Sequence, residues 1–299
     1  MHGRLVLTDA LRATIVASAA GEGTTADAER ACARATLLEA LARGLRALRA
    51  GECRAWLGPL LPGATMMGGA RVPGTSYELD PVQAAFNLGL LFYIANEQLA
   101  PASCPHDAGD CLGGLLAVAD YQSRQNRATD RPALRLRHLL DALGRARSIQ
   151  CALARPGTDL PPQQERARSA SIATAAVATA LLGGSRAQLA AAVATSCVDG
   201  GAQGRVALAD ATAHGVRCAL RAMMTSDDAL GTPAVASPPA AVVCVRSQPD
   251  FRQLLDALNA AVVAHYPAKQ AAMIASLFTD VAALDALPVD AFIAALVRN

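Results

Sequence analysis

Apolar residues recur at every third or fourth position along most of the chain. This spacing places side chains on one face of an α-helix, where they can pack against a core. The pattern therefore predicts a mainly helical protein. Four of these faces are formed by Leu37, Leu41, Leu45 and Leu48; by Leu136, Leu139, Leu140 and Leu143; by Phe251, Leu254, Leu255, Leu258 and Val262; and by Val289, Phe292, Ile293 and Leu296.

Helix starts and chain breaks are also visible in the sequence. Asp80 before Pro81 predicts an N-cap followed by the first helical residue, and Ser185 with Gln188 predicts a capping box. The one strand that the pattern favours is residues 240–246, a short apolar run bounded by prolines and a serine. The composition shifts at residues 225–239, and this shift predicts a boundary near residue 230.

Composition and charge exclude several classes of protein. The chain has 299 residues, of which 53% are hydrophobic and 17% charged, enough to bury a substantial core. Its formal net charge of +2 includes no basic run, so no nucleic-acid partner is expected. No apolar stretch reaches the ~20 residues of a membrane span. Residues 1–20 are interpreted as an amphipathic helix and not as a signal peptide, which predicts a cytoplasmic protein without a membrane partner.

Five blocks of the sequence carry a resemblance to a known family. They are residues 57–91 (LGPLLPGATMMGGARVPGTSYELDPVQAAFNLGLL), 111–125 (CLGGLLAVADYQSRQ), 139–153 (LLDALGRARSIQCAL), 180–200 (ALLGGSRAQLAAAVATSCVDG) and 209–222 (ADATAHGVRCALRA). In these blocks the chain resembles the N-terminal region of the MmgE/PrpD family, and within it the 2-methylcitrate dehydratases. The resemblance implies a homodimer with a large all-helical domain and a smaller α/β domain. It also implies an active site between the two domains that needs no metal or organic cofactor.

The resemblance covers most of the first 230 residues. We therefore expect an all-helical MmgE/PrpD-like domain at residues 1–230 and a short C-terminal helical appendix at residues 231–299. The appendix is interpreted as a remnant of the second domain, so the smaller α/β domain is expected to be largely missing. A site that is normally closed between two domains would then be open on one side, unless a partner subunit or another protein covers it.

Several positions differ from the residues that the family implies for its active site. The first family aspartate corresponds to Asn96, and a threonine four residues later corresponds to Ala100. The family's His-Pro-Ser segment is matched loosely around His106, which is the one histidine of the set that remains. A further family histidine corresponds to Arg166 or to a neighbour in the segment LPPQQERARS.

The lysines implied by the family are also replaced. Its lysine loop is shortened here to GAQGRVAL, in which Arg205 is the only cation. A later family lysine and histidine correspond to Ala264 and Ala271, and the chain contains a single lysine, Lys269.

The segment CPHDAGDC, residues 104–111, is the best candidate site because it combines a histidine with carboxylates and thiols. His106 and Asp107 are predicted to transfer protons as the catalytic pair, and Asn96, Arg205 and His214 to bind the substrate. Three alternatives stay open for the segment. It could be a solvated loop with capping aspartates, a zinc site built on Cys104, His106 and Cys111, or a nucleophilic site at Cys104.

These observations predict a divergent lyase or isomerase of specialised metabolism that acts on a small carboxylated or carbonyl-activated metabolite. Ordinary 2-methylcitrate dehydration is not expected, because the chain lacks the cations that would neutralise so anionic a substrate. The alternative is a non-catalytic homodimeric scaffold or partner subunit derived from such a dehydratase. A third hypothesis is a small-molecule binding protein that uses the open cleft.

Overall fold

The computed structural model describes residues 7–21, 26–50, 53, 55–97, 109–154, 161–197, 206–226 and 250–298, with only the backbone at 94–97. Within these ranges it contains helices and two short strands, which confirms the prediction of a mainly helical chain. The elements are α1 (Asp9–Ala20), α2 (Asp27–Ala47), β1 (Ala70–Arg71), β2 (Glu78–Leu79), α3 (Pro81–Glu97), α4 (Gly109–Ala128), α5 (Leu136–Leu153), α6 (Pro162–Leu181), α7 (Arg186–Ser196), α8 (Ala207–Met223), α9 (Phe251–His265), α10 (Ala268–Ser276), α11 (Val281–Ala286) and α12 (Val289–Leu296).

Local sequence signals set the helix starts. Asp80 Oδ1 accepts the backbone N–H groups of Val82 and Gln83 at 3.0 and 3.1 Å, which confirms the predicted cap of α3. The predicted capping box of α7 is also present, because Ser185 and Gln188 each accept the other's backbone N–H. Both caps satisfy donors that the first turn of a helix leaves without intrahelical partners.

Glycines allow α3, α4, α6 and α8 to approach one another closely at the centre of the fold. A Cβ atom on Gly113 of α4 would lie 2.5 Å from the backbone nitrogen of Gly89 on α3. A Cβ atom on Gly114 would lie 2.6 Å from both Thr174 Cγ2 on α6 and Thr212 Oγ1 on α8. A larger residue at either glycine would therefore force these helices apart.

The C-terminal helices pack into the same hydrophobic core as the rest of the described chain. The apolar face of α9 lies on α2, and α12 packs against α4 and α5. Backbone hydrogen bonds join the two parts, from Leu136 N to Leu287 O at 2.8 Å and from Val289 N to Leu134 O at 2.7 Å. The boundary expected near residue 230 and the strand expected at 240–246 lie outside the described residues, so the division into two domains stays a prediction.

A buried ion pair joins β1 to the middle of α4. Arg71 donates from Nη2 to Asp120 Oδ1 at 2.6 Å, and its backbone N–H donates to Asp120 Oδ2 at 2.9 Å. Burial raises the pKa of Asp120, and the hydrogen bonds and charge of Arg71 oppose this rise. Arg71 Nη2 also donates to the carbonyl oxygen of Asp290 at 2.6 Å, so the pair holds α12 against α4.

Within the described ranges, no helix combines the length and the apolar composition needed to cross a bilayer.

Candidate active site

Four helices bring their ends together at one end of the central bundle. Arg166 meets Asp110 near the starts of α6 and α4, and further along both helices Thr174 packs against Gly114, so α4 and α6 are parallel. The helix α8 has the same direction, because Ser171 contacts His214 near the start of α8, and Thr179 and Met223 meet beside Gly184 at the far ends of α6 and α8.

The helix α3 runs the opposite way. Tyr93 near its end faces Arg166, whereas Gly89 lies against Gly113 further along α4. The starts of α4, α6 and α8 therefore lie beside the end of α3, in a region that we call the loop end. Because the N-terminus of a helix carries a partial positive charge, three such termini make the loop end favourable for an anion.

Arg166 and Asp110 form a bidentate ion pair at the loop end. Arg166 Nε donates to Asp110 Oδ2 and Nη2 donates to Asp110 Oδ1, both at 2.6 Å. The side chains are 15% and 4% exposed, so the pair is largely withdrawn from solvent. The Arg166 guanidinium also lies over the ring of Tyr93, with Cζ 5.8 Å from the ring centroid. Residues of three helices thus fix the plane and position of this cation.

His214 lies between two side chains of the α6–α8 interface. Its Nδ1 is 2.9 Å from Ser171 Oγ, and its Nε2 is 3.6 Å from Cys218 Sγ. Ser171 and Cys218 are buried, and each can donate or accept a hydrogen bond, so either tautomer of the imidazole fits. Both ring nitrogens of His214 therefore already face partners inside the protein.

Asp210 is a carboxylate of α8 that the sequence analysis did not single out. It lies in the first turn of α8, four residues before His214 and hence on the same face of the helix. Partial desolvation raises its pKa, and the charge of Arg217 opposes the rise. Because the residue is exposed overall, it keeps contact with solvent and can exchange protons with it.

The structure describes only some of the predicted site residues. His106, Asp107 and Arg205 lie outside the described residues, and Asn96 lies in the last turn of α3, where only the backbone is described. His214 is the one predicted residue whose side chain is described, and its role in substrate binding stays a prediction. The described residues that border these undescribed segments are Glu97, Gly109 and Val206. All three lie at helix ends in the loop end.

Sequence reasoning noted Arg166 and Asp110 separately but did not pair them. They are 56 positions apart, and only the packing of α4 against α6 brings them together. Tyr93 and Asp210 carried no signal beyond lying in or next to the similar blocks. The thiol of Cys111 is buried and donates to Ala170 O at 3.7 Å. No group of three or more His, Cys, Asp or Glu residues able to hold a metal ion occurs in the part of the chain that the structure describes.

Comparison with known proteins identifies the family to which the chain belongs. Residues 13–236 match the MmgE/PrpD N-terminal domain, and the chain therefore belongs to the MmgE/PrpD family. This match begins within α1, extends through α8 and includes Asp110, Arg166 and Asp210.

Named relatives in the family are dehydratases. The chain is 34% identical over 200 residues to the 2-methylcitrate dehydratase of Escherichia coli K12, an alignment that covers 62% of this chain and 41% of that protein. It is 36% identical over 202 residues to the 2-methylcitrate dehydratase of Cupriavidus necator, covering 63% and 42%. A fungal alkylcitrate dehydratase is 37% identical over 125 residues, covering 40% of this chain and 25% of its own length. The alignments thus span well under half of these relatives.

Proposed function

We propose that this protein is a divergent lyase or isomerase of the MmgE/PrpD family that moves a proton on a small carboxylated or carbonyl-activated metabolite. The proposal is supported by the match to the family domain over residues 13–236 and by dehydratase relatives. The observation on which the proposal depends is the meeting of helix ends at the loop end. The segments predicted to contain the catalytic and substrate-binding residues are adjacent in sequence to those ends.

The proposed reaction combines the predicted catalytic pair with described groups of the loop end. His106, assisted by Asp107, takes a proton from a carbon next to a carbonyl or carboxylate, and Asp210 is a further candidate to exchange a proton with the substrate. The developing negative charge is stabilised by the starts of α4, α6 and α8 and by the cation of Arg166. Asn96 and Arg205 orient the substrate in this proposal.

Ordinary 2-methylcitrate dehydration is not part of the proposal. That substrate is highly anionic, and the family lysines implied by the resemblance have no counterpart in this chain, whose single lysine is Lys269. We expect no alkene absorbance when the purified protein is incubated with 2-methylcitrate. Rapid formation of the alkene would replace the proposal with the ordinary family reaction.

Solvent exchange tests the proton transfer without knowledge of the product. The purified protein is incubated in heavy water with a panel of hydroxy- and oxo-carboxylates, and deuterium incorporation is followed by mass spectrometry. We expect incorporation into at least one compound, and a loss of about 100-fold or more for His106→Ala. A folded wild-type protein that exchanges no compound of the panel would favour the non-catalytic scaffold or partner subunit.

We also propose that the protein is a cytoplasmic homodimer in a specialised pathway, and that a second subunit or another protein covers the loop end. The support is the family membership alone. Light scattering after size-exclusion chromatography measures the mass of the assembly, and the mass of one chain at micromolar concentration would contradict the homodimer.

A further inference from the structure

We infer that the end of the bundle opposite the loop end is a docking surface for an acidic, amphipathic segment of another protein. Two neighbouring parts of the chain form this surface. They are residues 55–68, which we call the apolar loop, and residues 124–137, which we call the arginine turn. The inference goes beyond the proposed function, because the surface lies away from the predicted active site.

The surface lies where α4 ends and α3 begins. Gln125 near the end of α4 donates from Nε2 to Gly68 O at 3.1 Å. The helix α3 runs opposite to α4, and Gln83 in its first turn donates from Nε2 to Gly58 O at 3.0 Å. The apolar loop therefore contacts both helices. Since α4 has 20 residues, this surface is about 30 Å from the loop end along the helix axis.

The apolar loop exposes large hydrophobic side chains. Four of the eight such side chains that are exposed in the described ranges lie in this loop: Trp56, Leu60, Leu61 and Met67, which are 56%, 86%, 70% and 97% exposed. Apolar residues exposed singly are ordinary on a protein surface, whereas a group of them indicates an interaction site. Tryptophan, methionine and arginine are also the residue types enriched at interfaces between proteins.

The fold holds the apolar loop in place from both sides. The side chain of Asn87 on α3 is buried and pairs with both polar backbone groups of Gly58. Its Oδ1 accepts from the N–H at 2.6 Å, and its Nδ2 donates to the carbonyl oxygen at 3.1 Å. Further along the loop, the backbone N–H of Met66 donates to Glu78 O at 3.1 Å. A loop that is ordered before binding loses less conformational entropy in a complex, so more of its contact energy becomes affinity.

The arginine turn gives the surface a positive charge. Three exposed arginines of the turn form no ion pair with the residues that the structure covers: Arg131, Arg135 and Arg137. The carboxylates of Glu78 and Asp290 in this region are already paired with Arg124 and Arg127, at 2.8 and 2.7 Å. Asp130 is the only acidic residue of the turn itself, so the unpaired arginines outnumber it. A partner with carboxylates complements this charge.

These properties favour an acidic protein segment over other occupants. A second copy of the chain using the same surface would bring like charges together, because a twofold interface contacts itself. A membrane is also disfavoured, since the apolar side chains belong to an irregular loop and the polar backbone groups of such loops lack partners in lipid. An amphipathic segment would cover the apolar side chains and place carboxylates beside the arginines.

Peptide selection tests the chemistry of the occupant without assuming its sequence. A displayed library of random peptides is selected on the wild-type protein, and the enriched peptides are synthesised without tryptophan. We expect them to combine net negative charge with apolar residues. They should shift the fluorescence of Trp56, the single tryptophan of the chain, to shorter wavelength because its indole leaves water. Enriched peptides without negative charge, or none that alter this fluorescence, would overturn the inference.

Variants of the two parts of the surface are compared with matched controls. Leu60→Ser with Leu61→Ser should raise the Kd of the selected peptides about 10-fold or more, whereas Val281→Ser on α11 should leave it within about 2-fold. Arg131→Glu should raise Kd about 3-fold or more at low salt and less at high salt. Its control is Arg252→Glu, in the first turn of α9. Because these side chains are exposed, Tm should change little, and equal effects of a surface variant and its control would contradict the inference.

Two further measurements address the competing occupants. The emission of Trp56 is followed in the protein alone over a range of concentrations, and again with vesicles of anionic phospholipid. We expect no shift in either series. A shift that accompanies dimer formation would replace the acidic segment with a second copy of the chain. A shift caused by the vesicles would replace it with a membrane surface.

Discussion

Two Arg–Asp pairs on α4 place the same chemistry in different surroundings. Asp110 lies in the first turn of α4, and Asp120 lies ten residues later, about 15 Å along the helix axis. At Asp120 the arginine also donates its backbone N–H to the carboxylate, and its guanidinium donates to the carbonyl oxygen of Asp290, which fixes β1 and α12 against α4. At Asp110 the described contacts of the arginine are a bidentate carboxylate and an aromatic ring, beside three helix starts. The first pair joins β1, α4 and α12, and the second brings α3, α4 and α6 together at the loop end.

Removing one partner of the Asp120 pair should give the largest effect on stability. Arg71→Ala leaves the carboxylate of Asp120 buried without its cation, and we expect the free energy of unfolding to fall by about 3–5 kcal/mol. Urea unfolding followed by circular dichroism measures the change. The double variant Arg71→Met with Asp120→Leu should recover most of the loss, since it leaves no charge unpaired. An Arg71→Ala protein as stable as the wild type would show that the pair does not join these elements.

Enlarging Gly113 tests whether close helix contact is needed to build the loop end. Gly113→Ala places a methyl group against the backbone of Gly89, and we expect a loss of about 1–3 kcal/mol in the free energy of unfolding. Because α3 would move away from α4, Tyr93 should also shift from Arg166. Gly63→Ala is the comparison, since no atom lies within 4 Å of its Cβ position and only its positive φ of 80° is unfavourable. An equal loss in both variants would argue against tight packing.

Replacing His214 tests how much its contacts in the α6–α8 interface contribute to stability. His214→Gln retains a group that can hydrogen-bond Ser171 or Cys218, and we expect the free energy of unfolding to fall by about 1 kcal/mol. Urea unfolding followed by circular dichroism measures the change, and a variant as stable as the wild type would show that these contacts add no net stability. Loss of deuterium exchange in a variant of near-native stability would support the predicted role of His214 in substrate binding.

The smallest expected effect is on the pH dependence of stability. It concerns Asp290, whose carbonyl oxygen accepts a hydrogen bond from Arg71. Burial acts to raise the pKa of Asp290, but hydrogen bonds from Arg127 and Ser123 outweigh it, so the pKa lies below its ordinary value. A carboxylate with a lowered pKa stabilises the folded state above its unfolded pKa of about 3.9, and this contribution is lost as the pH falls through the folded pKa.

Asp290→Asn lacks this titration. The free energy of unfolding of the variant should therefore depend less on pH between about 5 and 3 than that of the wild type. Equal pH dependences of the free energy of unfolding in the variant and the wild type would show that titration of Asp290 does not contribute to stability. The contrast between the two ends of α4 would then rest on Asp120 alone.

Helices and their caps were predictable because the signals are local. The N-cap at Asp80 and the capping box of Ser185 and Gln188 involve residues within one turn of each other, and the structure confirms both. The apolar faces of α2, α5, α9 and α12 were likewise predicted, since helical period decides which side chains can share a face. The family was predicted from long similar blocks and is confirmed by the matched domain.

The candidate site was predictable only in part. Sequence reasoning drew attention to the segment before α4 and to the position of Arg166, but it assigned no partner to either. Pairing Arg166 with Asp110 requires the parallel packing of two helices that touch at Gly114 and Thr174. A similar limit applies to His214, which was predicted to bind substrate before its contacts with Ser171 and Cys218 were known.

The amino-acid sequence by itself determined that this protein is helical, where its helices begin and to which family it belongs. These properties follow from short-range hydrogen bonding, from apolar periodicity and from blocks of similar residues. Only the tertiary structure decided that three helix starts meet at one end, and that a partly buried arginine there contacts an aspartate and a tyrosine from other helices. The reason is physical: an ion pair depends on distance in space, and sequence separation does not constrain that distance across 56 positions.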